Sequence, residues 1–485
     1  EHITLAVLKH AGQGAFGHIL EFAYGGAHPN VPVHLAQSGR GEHAVSNEVG
    51  HKTGRGAVVE AVGIVPLVQL PLAHHADHIA NGEGLQCRNG ETSTLAGELT
   101  EQPFLEALDA LYAAQGHREP SDLPFTGGWA LYLGYELSAQ IEPSLDLPAF
   151  DGPLPDALAL RCPAALLFDK TEGRVIAVAE HGYESLLEAV QGDLEGLCGQ
   201  PPVPAWQAQG VCSEEDPARF IDAVDKIHAY LHAGDVFQVV PSQRFELRTS
   251  ADPFDIYRSL RVVNPSPYMY FLDFGGYQVV GSSPEILVRA KNGRVTVRPI
   301  AGTRPRGADA EHDAALETEL LNDAKECAEH LMLIDLGRND VGRVAEPNSV
   351  TVPQRFVIER YSHVMHIVSE VQGRLKDGLG FADIFRATFP AGTVSGAPKI
   401  RALEIIQELE PHKRHIYSGA VGYINWWGDT DTAIAIRTAV IMDGMLHVQA
   451  GAGIVYDSQP AMEWQETMNK GRALFRAVQQ AAQGL

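Results

Sequence analysis

Residues 420–455 read AVGYINWWGDTDTAIAIRTAVIMDGMLHVQAGAGIV. Three apolar runs stand out, AVGYINWW, TAIAIRTAVI and MLHVQAGAGIV, with GDTD and MDG between them. Runs rich in β-branched and aromatic residues, punctuated by Gly and Asp, read as strands. Upstream the same texture recurs in FQVVPS, PYMYFLDF, YQVVGSS, ILVRA and RVTVRP. Helical spacing appears in only a few places. In residues 217–232, Phe220, Val224, Ile227 and Leu231 repeat at helical intervals and Gly234 follows as a stop. Residues 311–334, 398–409 and 460–480 also read as helices. Long strand runs with few intervening helices predict an α+β protein whose large antiparallel-rich sheets are covered by helices.

Further towards the N-terminus, FLEALDALYAAQG from Phe104 reads as an amphipathic helix closed by Gly116, and PFTGGWALYLGYE (124–136) as strand with glycine turns. Residues 157–180 read as an apolar strand, a turn at Thr171–Gly173 and a second strand, RVIAVAE. The Pro/Gly-rich GQPPVPAWQAQG (199–210) is the best linker candidate. The expected organisation is therefore an N-terminal region 1–200, a linker 201–216 and a catalytic region 217–485, packed as one globule. Within the first region residues 1–95 stay unassigned. They hold 10 of the 21 histidines and a single aspartate, Asp77, which marks either a divergent segment or an error of reading frame. His74, His75 and His78 have no carboxylate or thiol cluster beside them and read as solvated loop residues.

Lys plus Arg number 37 against 61 for Asp plus Glu, a formal charge of −24 on 485 residues. A surface this acidic repels phosphate backbones and anionic lipid heads, so neither nucleic acid nor membrane is an expected partner. An anionic substrate must instead be held by local positive charge. The most apolar run, Ala61–Ala73, is interrupted by Pro66 and Pro71 and is too short for the roughly 20 residues that span a bilayer. Five scattered cysteines without a C-x-x-C pair fit a reducing compartment, and the first residues lack a signal-peptide pattern and an initiator Met. A soluble, cytoplasmic protein is expected.

Chemistry concentrates in two E-x-x-E pairs. Glu326 and Glu329 share one face of a predicted helix, and Glu463 and Glu466 repeat the arrangement on the C-terminal helix, with Lys470 four residues further on. Carboxylates are the hard oxygen donors that Mg²⁺ takes, one or two at a time. Glycine-bearing turns at RPIAGTRPRG (298–307), AGTVSGAPK (391–399) and QAGAGIV (449–455) let backbone approach a ligand. Ser395 is a candidate N-cap ahead of Pro398, which would make that helix start an anion site. His366 alternates with apolar neighbours, as a core histidine would. Arg437 lies in the middle of an apolar run, and a buried guanidinium needs an anionic partner. These residues by themselves indicate a Mg²⁺-dependent enzyme for a small anionic substrate.

In the order PIAGTRPRG, EHLMLIDLGRNDVGRV, ERYSHVMHIVS, FPAGTVSGAPKIRA, DTAIAIRTAV, QAGAGIV and ETMNK, the motifs between about Pro217 and Val478 resemble the chorismate-utilising enzymes. Among these they are most similar to the large subunits of anthranilate synthases. The resemblance implies a lyase of tryptophan biosynthesis that takes chorismate, ammonia and Mg²⁺. It implies Glu329 and Glu466 as metal ligands, with Glu326 and Glu463 beyond them as outer or alternate ligands. Glu285 would be the general acid, and His366 would assist the later proton transfer. Arg437, Tyr417 and the backbone of Gly451, Ala452 and Gly453 would bind the enolpyruvyl carboxylate. Gly302, Thr303 and Thr393 would line the ring, and Lys470 would add positive charge.

Two positions discriminate among relatives of this kind. Relatives that use water place a lysine base where this chain has Gln238, and a neutral amide cannot serve as that base. Aminodeoxychorismate synthases typically carry a nucleophilic lysine where this chain has Ala301, although an alanine type exists and remains the alternative product reading. A non-catalytic binder of chorismate or tryptophan is a third reading, opposed by the full set of chemical groups. Pro267, Tyr268 and Met269 in NPSPYMYF resemble half of a tryptophan feedback site, while the other half has only a poor counterpart in HLAQS (34–38). Neither Cys198 nor Cys212 sits in a G-x-C-x-G context. The resemblance therefore implies a separate glutamine amidotransferase subunit as the source of ammonia.

Overall fold

The computed structural model describes residues 84–116, 120–147, 154–169, 174–187, 217–361 and 364–483, together with the backbone of the strands Ile3–Lys9, His18–Tyr24, Gly56–Ala61 and Cys212–Ser213. Its helices are α1 (Phe104–Ala114), α2 (Ser138–Ile141), α3 (Pro217–Ala233), α4 (Pro253–Val263), α5 (Ala310–Asn322), α6 (Ala324–Val344), α7 (Phe381–Thr388), α8 (Lys399–Leu409) and α9 (Pro460–Gln483).

Two large sheets organise the chain, and every strand pair within them is antiparallel. The first has 11 strands and places Ser242–Arg248, Met445–Gly451, Thr438–Met442, Gln278–Ser283 and Tyr268–Asp273 beside His18–Tyr24, Ile3–Lys9, Ala164–Asp169 and Arg174–Glu180. The second has 12 strands, with Val364–Arg374, Arg294–Val297, Ile286–Lys291, Thr430–Ile434, Ala420–Asn425, Gly128–Leu133 and Ala157–Cys162 in its centre. Both sheets thus draw strands from either side of residues 201–216, and within that segment Cys212–Ser213 pairs with Phe245 and Glu246 at the edge of the first.

The strand period explains the layering. In Gly128–Leu133, Trp129, Leu131 and Leu133 point to a core shared with α1, α6 and α7, while Ala130 and Tyr132 point to the core between the sheets. All six residues are buried, as a central strand covered on both faces requires. The outer face of the first sheet is covered by α4 and α9, through residues such as Ile256, Leu260, Leu474 and Val478. The result is a four-layer arrangement, helices outside and two sheets inside.

Several elements differ from the sequence expectations. The apolar stretch 157–169 is two strands: Ala157–Cys162 belongs to the second sheet and Ala164–Asp169 to the first. Pro163, which has no N–H for a ladder, sits at the change. TAIAIRTAVI is likewise split into Thr430–Ile434 and Thr438–Met442, so Arg437 is at a break between sheets rather than inside a strand. The helical stretch 311–334 is two helices. Asp323 ends α5 and caps α6, its Oδ1 accepting the Lys325 and Glu326 N–H groups at 3.0 and 3.2 Å. Ser395 does not cap α8; its hydroxyl donates to Ala391 O at 2.8 Å, and α8 starts after Pro398 without a side-chain cap. The linker 199–210, the 171–173 turn, and His74, His75 and His78 lie outside the described residues.

Gly281 stands opposite Tyr270, and a Cβ there would lie 2.1 Å from the ring. The ring is buried and its hydroxyl is 2.5 Å from Thr438 Oγ1, so it has nowhere to retreat. Gly281→Ala is expected to lose about 1–3 kcal/mol of stability by overpacking. An unchanged urea midpoint would show that the ring moves freely.

Candidate active site

The chain leaves the first sheet at Ser283 and enters the second at Ile286, and it makes the reverse passage between Ile434 and Thr438. The two passages run side by side, because their strands pair in both sheets. Two backbone bonds join them: the Ile434 N–H donates to Glu285 O at 3.0 Å, and the Ser282 N–H to Arg437 O at 3.1 Å. Arg437 takes a left-handed backbone, φ +52°, to make the turn. Side chains at such passages belong to neither sheet face. Glu285 and Arg437 instead line a cleft of about 560 Å³.

Glu285 is 6 % exposed, and burial pushes its carboxyl up to about 8, with Thr393, the Ile300 amide and the Arg437 and Lys470 charges opposing. It is therefore a protonated acid at neutral pH. The Thr393 hydroxyl lies near it without a well-aligned hydrogen bond to any protein atom. Arg437 has no ion-pair or hydrogen-bond partner for its guanidinium among the described residues, and burial holds its pKa below the usual arginine value. An arginine so placed can receive an anion. His366 Nδ1 is 3.0 Å from Gly302 O and 3.1 Å from Thr303 Oγ1. Since a carbonyl only accepts, Nδ1 carries the proton and Nε2 keeps its lone pair. Burial, assisted by Arg437, lowers the His366 pKa, so the ring is a neutral base.

Both E-x-x-E pairs reach the same cleft, Glu326 and Glu329 from α6, Glu463 and Glu466 from α9. Burial raises Glu326, Glu329 and Glu463. Glu326 raises Glu329 further, and Glu466 does the same to Glu463. Glu329 accepts from Gln238 Nε2 at 2.8 Å, and Glu466 meets Lys470 Nζ at 2.6 Å. Lys470 also donates to Gly451 O at 2.9 Å. As placed, no three His, Cys, Asp or Glu side chains among the described residues close on a common point. Five carboxyl groups line the cleft, Glu285 with these four glutamates, against the three cations Lys325, Arg437 and Lys470, so hard oxygen donors outnumber the positive charges beside them. That donor set fits Mg²⁺, which needs only one or two carboxylates beside water and substrate oxygens.

Gly302 shows how close the backbone must come: with φ +62°, a Cβ there would lie 3.2 Å from Glu326 Oε2 and 3.0 Å from Leu320. Thr303, Tyr417, Gly451 and Gly453 line the cleft with it. Ala452 does not. Its methyl is packed in the core with α3 and α8, and its N–H donates to Pro241 O at 3.2 Å, so Gly451 and Gly453 face the cleft without it. Pro267, Tyr268 and Met269 are also outside the cleft lining. Tyr268 donates to Asp431 at 3.2 Å and Met269 packs between α4 and the first sheet, while HLAQS (34–38) lies outside the described residues.

Three cations were not singled out from the sequence. Lys325 lines the cleft beside Glu326, and Arg304 ties Glu319, Asp323 and Glu326 at 2.8, 2.9 and 3.5 Å. Arg414 is 2 % exposed and holds Glu410 at 2.6 Å, Val240 O at 2.7 Å and Val394 O at 2.8 Å, with the Tyr135 and Tyr417 rings 4.8 and 5.4 Å from its guanidinium carbon. It thereby fixes three cleft-bordering segments. Lys325 was legible from its place beside an E-x-x-E pair; Arg414 had no local signal.

Residues 74–476 match the family described as chorismate binding enzyme. Anthranilate synthase component 1 of Pseudomonas aeruginosa is 52 % identical over 398 residues, 79 % of this chain and 80 % of that protein. The component 1 of Neisseria meningitidis serogroup A is 46 % identical over 448 residues, 88 % of this chain and 89 % of that protein. Among solved structures, anthranilate synthase component I from Streptococcus pneumoniae superposes with a TM-score of 0.74 at 38 % identity, over 90 % of this chain and 95 % of that one. The menaquinone-specific isochorismate synthase of Escherichia coli, 18 % identical, shares the fold with a TM-score of 0.66, over 90 % of this chain and 96 % of that one.

Glu285 predicts a pH effect of known sign. A carboxyl neutral in the folded protein up to about 8 and ionised in the unfolded chain above its ordinary value near 4.5 loses stability as pH rises across that window. Relative to Glu285→Gln, wild type should weaken by on the order of 4 kcal/mol between the two limits, read from urea unfolding at each pH. Parallel pH profiles for the two proteins would overturn the neutral assignment.

Proposed function

We infer the chemistry of this cleft from a fixed premise: the chain belongs to the chorismate binding enzymes. It acts as component I of an anthranilate synthase, aminating chorismate with ammonia at C2 and releasing pyruvate to give anthranilate. The reaction makes it a carbon–oxygen lyase. The observation that carries the reading is the co-location of a protonated Glu285, an Arg437 unpaired among the described residues, a neutral His366 and the four glutamates in one cleft.

Arg437 and Tyr417 hold the enolpyruvyl carboxylate, and the glycine turn at Gly451 and Gly453 lets that group lie against backbone. Gly302, Thr303 and Thr393 line the ring. Glu285 gives its proton to the C4 hydroxyl, so that this oxygen leaves as water while ammonia bonds to C2. His366, with Nε2 free, serves the later proton transfer that accompanies loss of pyruvate. Glu329 and Glu466 would hold Mg²⁺, with Glu326 and Glu463 next to them, and the ion would supply charge neutralisation and Lewis acidity at the ring carboxylate. Lys470 adds positive charge where an anion must enter an acidic protein.

Gln238 supports ammonia over water as nucleophile. Its amide is engaged with Glu329 and has no basic lone pair to offer. Ala301 lines the cleft without a nucleophile, which is consistent with ammonia attacking directly. The ammonia is supplied by a separate glutamine amidotransferase subunit in the cytoplasm. Among the described residues no helix is long and apolar enough to cross a membrane.

Purified protein with chorismate, Mg²⁺ and ammonium at mildly alkaline pH is expected to form fluorescent anthranilate with one pyruvate per turnover. An aminated product that retains the enolpyruvyl group, or no product, would sink the reading. Glu329→Gln should lower turnover at least roughly 100-fold with an unchanged unfolding midpoint, and wild-type rates would remove the metal assignment. Arg437→Gln is expected to raise the KM for chorismate by on the order of 10-fold or more, the loss of a charge-assisted contact.

A further inference from the structure

A second cavity, of about 40 Å³, shares Glu285, Leu333 and Thr393 with the substrate cleft and extends from them to Asp340. Gly337, Leu336 and Gly392 form part of its wall. At roughly 10–15 Å³ per water, it has room for about three. Polar groups stand at both ends. At one are the Glu285 carboxyl and the Thr393 hydroxyl, which has no well-aligned protein partner. At the other is Asp340, 6 % exposed, with Lys399 Nζ at 3.0 Å. The Lys399 side chain is 12 % exposed. Arg298 also lines the cavity but is held by Glu359 at 2.6 Å. The Thr388 hydroxyl is taken by Ile384 O at 2.9 Å.

The reaction proposed above leaves Glu285 as a carboxylate while substrate-derived groups still fill the cleft in front of it. The acid must regain a proton before the next turnover. We propose that the Asp340–Lys399 pair returns that proton to Glu285 through water in this cavity. One O–H bond forms at Glu285 as one breaks on the water beside it. That water takes its proton from Asp340, the member of the pair that lines the cavity, as an N–H bond of the Lys399 ammonium breaks to protonate Asp340 and Lys399 takes a proton back from bulk. Ammonia loses one proton to solvent on becoming the amine, so no net proton is consumed. Asp340 and Lys399 act through Glu285 and touch no substrate; they are positioning residues with a proton-supply role. The pair belongs to motifs, GRND on α6 and APK at the start of α8, that the cleft chemistry leaves without a task.

The inference rests on the anthranilate-forming reading, so wild-type turnover is measured first. In the double variant Asp340→Asn/Lys399→Gln, which keeps a neutral hydrogen-bonded pair, kcat should fall roughly 10- to 100-fold with the KM for chorismate unchanged. Imidazole added at constant pH and ionic strength should restore kcat in the variant and leave wild type unaffected. Asp340→Glu, which keeps the carboxyl, should retain most of kcat. If the amide pair does not fold, Ala391, which also lines the cavity, offers a second variant: Ala391→Leu fills it, leaves both charges in place and should show the same imidazole response. Unchanged kcat, or a loss that imidazole does not relieve, overturns the relay. No anthranilate from wild type removes the parent reading and the relay with it, whereas wild-type turnover with unaffected variants removes the relay alone.

Discussion

Two neighbouring strands that change sheets together are the constraint on which the rest of this structure depends. A residue in a sheet ladder must point to one face or the other. Where the chain crosses from one sheet to its neighbour, that alternation lapses, and the backbone must find its hydrogen bonds elsewhere. Here the two crossings satisfy each other, Ile434 with Glu285 and Ser282 with Arg437. Glu285 and Arg437 are therefore fixed by main-chain bonds at one corner of the fold. Further parts of the cleft are brought to that corner by α6, α9, the loop at Thr393 and the strands that carry Gly302, Thr303 and His366.

Charge in the cleft is set by desolvation as much as by partners. Burial raises the Glu285 pKa and favours its neutral form, while Arg437 nearby stays without a counter-ion among the described residues. Burial pushes Glu326, Glu329 and Glu463 upward, and the neighbouring Glu326 and Glu466 charges add to the shifts of Glu329 and Glu463. Arg414 provides the structural counterpart. Its buried pairing with Glu410, reinforced by two carbonyls and two tyrosine rings, holds the segments that border the cleft. On a chain of net charge −24, Lys325, Arg437 and Lys470 nonetheless put positive charge into the cleft itself.

Much of the site was readable because helical spacing carries chemistry directly. Glu326 with Glu329, and Glu463 with Glu466 and Lys470, need only a 3.6-residue period to share a face, and that period is local. The strands were readable for the same reason. What was misread involved changes of direction. The stretches 157–169 and 432–441 each look like one apolar strand because both halves are buried, and only the partner strands reveal that the halves lie in different sheets. Asp323 and Ser395 are a matched contrast. Both are good cap residues by type, yet one caps α6 and the other bonds a carbonyl four residues back. Ala452 was placed with its glycine neighbours, but its N–H is claimed by Pro241, more than 200 positions away.

The sequence by itself determined the α+β class, the strand and helix inventory over most of the described residues, the kinship with chorismate binding enzymes and the carboxylate pairs, because period and motif order are properties of the chain alone. Tertiary structure decided which sheet each strand joins, which nitrogen of His366 carries the proton, that burial favours the neutral form of Glu285, and that a small cavity reaches from it to Asp340, the ion-pair partner of Lys399. Those outcomes depend on burial and on hydrogen bonds between residues distant in sequence, and no local pattern encodes the water that folding removes.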